Sequence, residues 1–333
     1  MALLEVQQLK KYFDTPAGFL HAVDDVNLVI ERGKTLGVVG ESGCGKSTLG
    51  KALIRMTDAT GGRIYFDGRE ITRMTQRQFK NMRMKMQMIF QDPYSSLDPR
   101  MSVSALIAEP IKTYKLAGGR KKPDGPAPPE APVPLEKMVF NLMETVGLSK
   151  RFAGVYPHEL DGGRRQRIGI ARALSLNPEF IVCDEPVSAL DVSIQAQILN
   201  LLMDLQRDKQ LTYMFITHDM SVVKHISDEI CVMYLGQIVE MCGSKELFRN
   251  TLHPYSQALL SAIPIPSLHN RRERILLKGE ITSPINPTER CRFAPRCPRA
   301  SDGCFTAVPE LKESAAKGHY VRCFHYGDGG QGI

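Results

Sequence analysis

The sequence predicts an α/β protein whose parallel core sheet carries a phosphate-binding loop, and three observations predict it. The first is Gly40-Glu-Ser-Gly-Cys-Gly-Lys46-Ser47-Thr48, which matches G-x-x-x-x-G-K-[ST] between a short apolar run and a helical one. The second is Phe180-Ile-Val-Cys-Asp184-Glu185, an apolar strand that ends in two adjacent carboxylates. The third is the alternation of short apolar runs with segments of helical period, which lays parallel strands beneath helices.

A chain of 333 residues, 43% hydrophobic and 24% charged, is long enough for two domains and ordinary in composition. Wholesale disorder, collagen and coiled coil are thereby excluded. No run approaches the roughly 18 apolar residues of a membrane span, and MALLEVQQLKKYF carries no signal-peptide block. A soluble chain on the cytoplasmic side is expected. The net charge of +7 suits phosphates, an anionic membrane surface or nucleic acid without choosing among them.

Residues 3–33 alternate apolar and polar positions, as short strands of a half-exposed sheet do. TLGVVG (35–40) reads as a buried strand, TLGKALIRM (48–56) as a helix, and GGRIYFDGREI as strands around an Asp-Gly turn. In MRMKMQMIF, methionines at 82, 84, 86 and 88 follow the period of a half-buried strand, which is preferred to a copper-binding methionine box. The stretch from about 115 to 134 holds six of the 21 prolines and reads as an exposed insert. Helical period returns at 135–147, 164–176 and 193–208; TYMFITHD (212–219) is a second buried strand, and 230–240 a hairpin around Leu235-Gly236. Beyond about 250 the periodicity weakens and prolines recur, which marks a boundary.

The chemistry of the loop is direct. Its glycines let backbone N–H groups turn toward phosphate oxygens, the helix N-terminus favours anions, Lys46 reaches the β and γ phosphates, and Ser47 offers Mg²⁺ a ligand. Cys44 is taken as a space filler. Asp184 is placed to hold Mg²⁺ through water and Glu185 to polarise an attacking water, because two adjacent carboxylates on a buried strand are costly without such a role.

Further motifs follow in order: Gln91 in IFQDPYSSLDP, Leu160-Asp161-Gly162-Gly163-Arg164 before RQRIGIARAL, Ser188-Ala189-Leu190-Asp191, and His218 in ITHD. Through them residues 1–250 resemble the nucleotide-binding subunits of ABC transporters. The resemblance implies a P-loop cassette with a parallel core sheet, an antiparallel β subdomain and a helical subdomain at about 92–175 that contains the insert. It implies that Gln91 contacts Mg²⁺ and water, that Ser188 to Asp191 form the D-loop, and that His218 touches the γ-phosphate. Phe13 is in register with the adenine-stacking aromatic, with Tyr12 as the neighbouring alternative. ATP would lie on Gly40, Ser42, Gly43, Cys44, Gly45, Lys46, Ser47, Thr48 and Asp184, with Mg²⁺ on Ser47, Gln91 and Asp184.

One motif departs from the family. Its signature is normally LSGGQ, whose serine and glycine amides hold ATP bound to the opposing subunit; here Asp161 stands for the serine. A carboxylate 4 Å from a phosphate charge costs about 4 kcal/mol at an effective dielectric near 20. The expectation is an asymmetric heterodimer in which the site facing Asp161 turns over poorly. The alternative is that Arg164 pairs with Asp161 and the site tolerates it.

The tail, 251–333, resembles the C-terminal extension of dipeptide and oligopeptide permease ATPases through HPYSQALLSAIP and GEITSPINPTERCRFAPRCPRASDGCF. The whole chain is most similar to the second of their two ATPase subunits; nickel importers share much of the pattern. Four of eight cysteines (Cys291, Cys297, Cys304, Cys323) lie within the last 43 residues. Without an export signal, such clustering reads as metal or iron–sulfur ligation before disulfides. With the resemblance, a structural [4Fe-4S] cluster is expected, with Zn²⁺, or reduced or disulfide-bonded thiols, as alternatives. The implied partners are a second ATPase, two transmembrane permease subunits and, indirectly, an external peptide-binding protein. The site of action would be peripheral, on the cytoplasmic face of the cell membrane. ATP and an anionic membrane account for the charge, so no nucleic acid is expected. A soluble ABC ATPase acting on nucleic acid or ribosomes is the competing class, and a P-loop kinase leaves the signature and SALD unexplained.

Overall fold

Apolar residues at every second position bend the first 31 residues into a long hairpin. Leu4 and Val6 on β1 (Ala2–Thr15) and Leu28 and Ile30 on β2 (Gly18–Glu31) are all buried, and the strands run antiparallel from Thr15↔Gly18 to Ala2↔Glu31. In this computed structural model the described residues are 1–114, 116, 133–263, 274–279 and 283–326. They fall into two units: Met1–Thr75 with Thr212–Ile333, and Gln76–Leu211.

In the first unit the hairpin leads to β3 (Thr35–Val39), buried throughout, and α1 (Lys46–Leu53). The strands β4 (Gly61–Phe66) and β5 (Arg69–Glu70) complete an antiparallel sheet in the order β2-β1-β4-β5. This is the antiparallel β layer that the sequence implies.

The second unit holds α2 (Gln76–Lys85), β6 (Met86–Ile89), α3 (Val103–Thr113), α4 (Leu135–Thr145), α5 (Gly162–Leu174), β7 (Phe180–Asp184) and α6 (Val192–Lys209). β6 and β7 are parallel, Met86↔Phe180 to Ile89↔Cys183. The methionine run is corrected here: Met82 and Met84 lie on α2, and strand period holds for Met86 and Met88, whose side chains are buried. Two of the four methionines thus satisfy a helix, since Phe79 supplies that helix with its buried anchor. The proline-rich insert falls mostly on residues outside those described.

The chain returns to the first unit with β8 (Thr212–Ile216), α7 (Met220–Ile226), β9 (Glu229–Tyr234), β10 (Gln237–Gly243), α8 (Ser244–Arg249) and α9 (Pro254–Ser261). β3 pairs in parallel with both β8 and β9, and β9 turns back on β10. The tail adds α10 (Asp302–Thr306), β11 (Lys312–Glu313) and β12 (Tyr320–Val321), and β12 extends the sheet beyond β10. Beneath that junction lies a fully buried carboxylate: Glu240 accepts from Leu252 N–H (2.7 Å) and His253 N–H (3.1 Å) and meets His319 Nε2 at 2.8 Å. Several hydrogen bonds offset the cost of burying it and tie the tail to the sheet.

Candidate functional site

The phosphate loop leaves β3 and enters α1 through Gly45, at φ +107°. A Cβ at Gly45 would lie 2.0 Å from the Ala22 carbonyl oxygen, so both conformation and space demand glycine. No side chain caps α1; its first amides are the kind that bind anions. Lys46 is buried, and its ammonium donates to the carbonyls of Gly40 (2.7 Å) and Glu41 (2.9 Å). Cys44 packs beneath the loop, and burial pushes its thiol pKa up. That is the filler role the sequence suggests.

The two candidate adenine aromatics differ in what they touch. Tyr12 stacks on His21 at 3.8 Å and donates to Asp24 Oδ1 at 2.5 Å. Phe13 is 37% exposed, with Lys11 Nζ 4.7 Å from its ring centre. Burial alone would raise the Asp24 carboxyl, but the Tyr12 hydroxyl and Arg292 hold it below the usual range. His218 is exposed just after β8, beside Asp219, which caps α7 through Ser221 N–H (2.7 Å).

The second unit assembles the remaining motifs. Asp184 ends β7, and the next residue, Glu185, is held at φ +45°, an unusual conformation for a side chain of its size. Gln91 Nε2 donates to Glu185 Oε2 at 2.9 Å. The signature packs against the start of α6: a Cβ on Gly163 would lie 2.6 Å from Ile194 Cγ2. Asp191 caps α6 through Ile194 N–H (3.0 Å), and these hydrogen bonds lower its carboxyl pKa. Asp161 caps α5 in the same way, accepting from Arg164 N–H at 2.8 Å, while its other oxygen meets the Arg164 guanidinium at 2.7 Å. Serine at a cap makes one of these bonds; aspartate makes both.

Residue types alone did not disclose several contacts. Arg165 stacks 3.6 Å from the Tyr94 ring centre and Arg172 donates to Ser96 O at 2.7 Å, so α5 holds the segment after Gln91. In the tail, Arg292 pairs with Asp24 and Arg296 with Glu41. The sequence showed only arginines next to cysteines.

An ABC transporter family model matches residues 23–188, and a model of the oligopeptide/dipeptide transporter C-terminal region matches 239–304. The oligopeptide transport ATP-binding protein AppF of Bacillus subtilis (strain 168) is 48% identical over 334 residues, covering 97% of each chain. The chain belongs to the ABC transporter ATP-binding proteins. Within that family, OppF of the same organism, also an oligopeptide transport ATP-binding protein, is 48% identical over 96% of each chain. The dimeric structure of MJ0796, a bacterial ABC transporter cassette, aligns with a TM-score of 0.63 and 26% identity, covering 72% of this chain and 98% of that one.

Family membership brings ATP and Mg²⁺ with it. Each unit offers oxygens of the kind a hard divalent cation takes: the Ser47 hydroxyl in the first, the Gln91 amide and Asp184 carboxylate in the second. The cysteines of the tail stand apart from this site. Among the described residues no group of three or more His, Cys, Asp or Glu side chains is placed to hold a metal ion. A single tetrahedral Zn²⁺ with bonds of about 2.3 Å needs its thiolates in mutual contact. Burial raises the thiols of Cys291 and Cys297 and carries that of Cys323 to about 11.

Proposed function

We propose that this chain is the ATP-hydrolysing subunit of an oligopeptide importer, working with a second ATPase and two transmembrane permease subunits at the cytoplasmic face of the cell membrane. The observation that carries it is the 45–50% identity to peptide-transport ATP-binding proteins across nearly the whole chain, tail included. Lys46 and the amides at the start of α1 bind the phosphates, Phe13 supports the adenine, and Ser47, Asp184 and Gln91 would hold Mg²⁺. Glu185 accepts a proton from the attacking water, Gln91 orients that carboxylate, and His218 contacts the γ-phosphate. On this reading residues 1–250 are the cassette and 251–333 the importer-specific extension. Affinity purification of the tagged chain from its own cells tests it: recovery of one membrane complex with permease subunits and peptide-stimulated ATPase is expected, whereas co-purification with ribosomes or DNA would sink it.

Asp161 bears on the partnership. A heterodimer whose other signature keeps its serine would hydrolyse ATP mainly on this chain's Lys46, Glu185 and His218. The Asp161–Arg164 pair favours a second reading, in which the facing site tolerates the carboxylate because its charge is already compensated. Glu185→Gln and the partner's corresponding change, made separately, distinguish them: unequal losses of ATPase support asymmetry, equal losses tolerance.

The iron–sulfur assignment for Cys291, Cys297, Cys304 and Cys323 rests on their C-x5-C-x6-C-x18-C spacing and on the family resemblance. A cluster there would staple a short tail with little core of its own. Anaerobic purification followed by iron analysis and visible spectroscopy checks it; colourless, iron-free protein would reject it.

A further inference from the structure

Glu41, the first variable residue of the phosphate loop, is engaged at three points. Its amide donates to the Tyr255 hydroxyl at 2.8 Å, and its carbonyl accepts from Lys46 Nζ at 2.9 Å. Its carboxylate receives a two-pronged guanidinium from the tail: Arg296 Nη1 to Oε2 at 2.7 Å and Nη2 to Oε1 at 3.1 Å. The Arg296 side chain is 9% exposed and that of Glu41 22%, so water screens the pair weakly. Arg296 is also well anchored. It ends a 3-10 turn, Ala294–Arg296, whose preceding residue Phe293 packs edge-on to Tyr234 at 5.2 Å and against Tyr255 at 5.5 Å.

A carboxylate in this loop is electrostatically wrong for its ligand. It opposes a triphosphate unless a fixed cation accompanies it, and the loop's own Lys46 is needed for the phosphates. A bidentate arginine both compensates the charge and fixes where it points. We propose that Arg296 is a positioning residue of the ATP site: from the C-terminal tail it holds Glu41 and cancels its charge, so that a loop containing a carboxylate still accepts a triphosphate. The inference rests on the ATP-site reading above and adds to it a dependence of nucleotide affinity on the tail.

Calorimetric titration of the full-length chain with MgATP, MgADP and adenosine tests this. Arg296→Ala should weaken MgATP roughly tenfold, the value of one charge-assisted hydrogen bond, with a smaller loss for MgADP and none for adenosine. The double variant Arg296→Ala/Glu41→Gln should recover most of the affinity, since the uncompensated charge has gone with its partner. Wild-type affinity in Arg296→Ala would overturn the proposal, as would equal weakening in single and double variants, the mark of a purely structural staple. Where Arg296→Ala does not fold, Glu41→Gln alone decides: binding at least as tight as wild type supports charge compensation, and clear weakening refutes it. A wild-type chain that binds no MgATP would instead defeat the ATP-site reading itself.

Discussion

Gln91 Nε2 lies 2.9 Å from Glu185 Oε2, joining the loop after β6 to the end of β7. These are neighbouring parallel strands, so the ladder between Ile89 and Cys183 brings the two side chains together although 94 positions separate them in sequence. The amide orients the carboxylate, which in the function proposed above accepts a proton from the attacking water.

Glu185→Gln removes that proton acceptor while keeping shape and hydrogen-bonding capacity. Phosphate release should fall about 10²–10⁴-fold, with MgATP affinity unchanged. Gln91→Ala, which removes only the orienting partner, should cost less. Single-turnover hydrolysis beside equilibrium binding checks both; a matching collapse of affinity in Glu185→Gln would contradict the assignment.

Asp161 earns its place at α5 locally, whatever the partner subunit does. Asp161→Ala should destabilise the chain by about 1 kcal/mol through loss of the cap, whereas Asp161→Ser, which keeps an acceptor for Arg164 N–H, should cost little. Urea unfolding measures the difference. Equal stability of the alanine variant and wild type would mean that this cap is energetically idle.

Much of this site was legible because its signals are local. The phosphate loop needs glycine at Gly45 for reasons of backbone and space, and Asp184-Glu185 closes a five-residue apolar strand; neither depends on distant residues. What escaped notice was long-range or ambiguous in period. Met82 and Met84 alternate like strand residues, yet four apolar positions cannot separate a strand from the last turn of a helix. The partners Arg296–Glu41 and Arg292–Asp24 lie more than 250 positions apart and follow no period. The cysteines are legible only as a cluster: their spacing in sequence suggests ligation, and the folded tail leaves Cys291, Cys297 and Cys323 half-buried and Cys304 buried.

Burial also governs the cysteines outside the tail. Cys44 in the loop and Cys183 and Cys231 on β7 and β9 are buried, and desolvation raises all three thiols above their ordinary pKa. Thiolate is the reactive form, so native protein near neutral pH should leave these three unmodified by iodoacetamide. Peptide mass mapping after brief labelling, with a urea-unfolded control, checks it; rapid labelling of Cys44 would show that the loop opens on that timescale.

His253 should make stability fall in mild acid. It is buried at the N-terminus of α9, its Nδ1 accepts from Tyr255 N–H at 3.1 Å, and burial lowers its pKa from 6.5 to about 3. The unfolded chain therefore binds a proton below about pH 6.5 that the folded chain refuses until about pH 3, and stability rises with pH throughout that window. The contribution is complete above pH 6.5 and is lost progressively as the pH drops. Between about pH 7.5 and pH 5 it amounts to about 2 kcal/mol. His253→Asn keeps a capping acceptor but cannot titrate. Urea unfolding at the two pH values should show wild type weakening by more than the variant, whatever other groups contribute to both; parallel losses would mean that His253 is protonated within the fold.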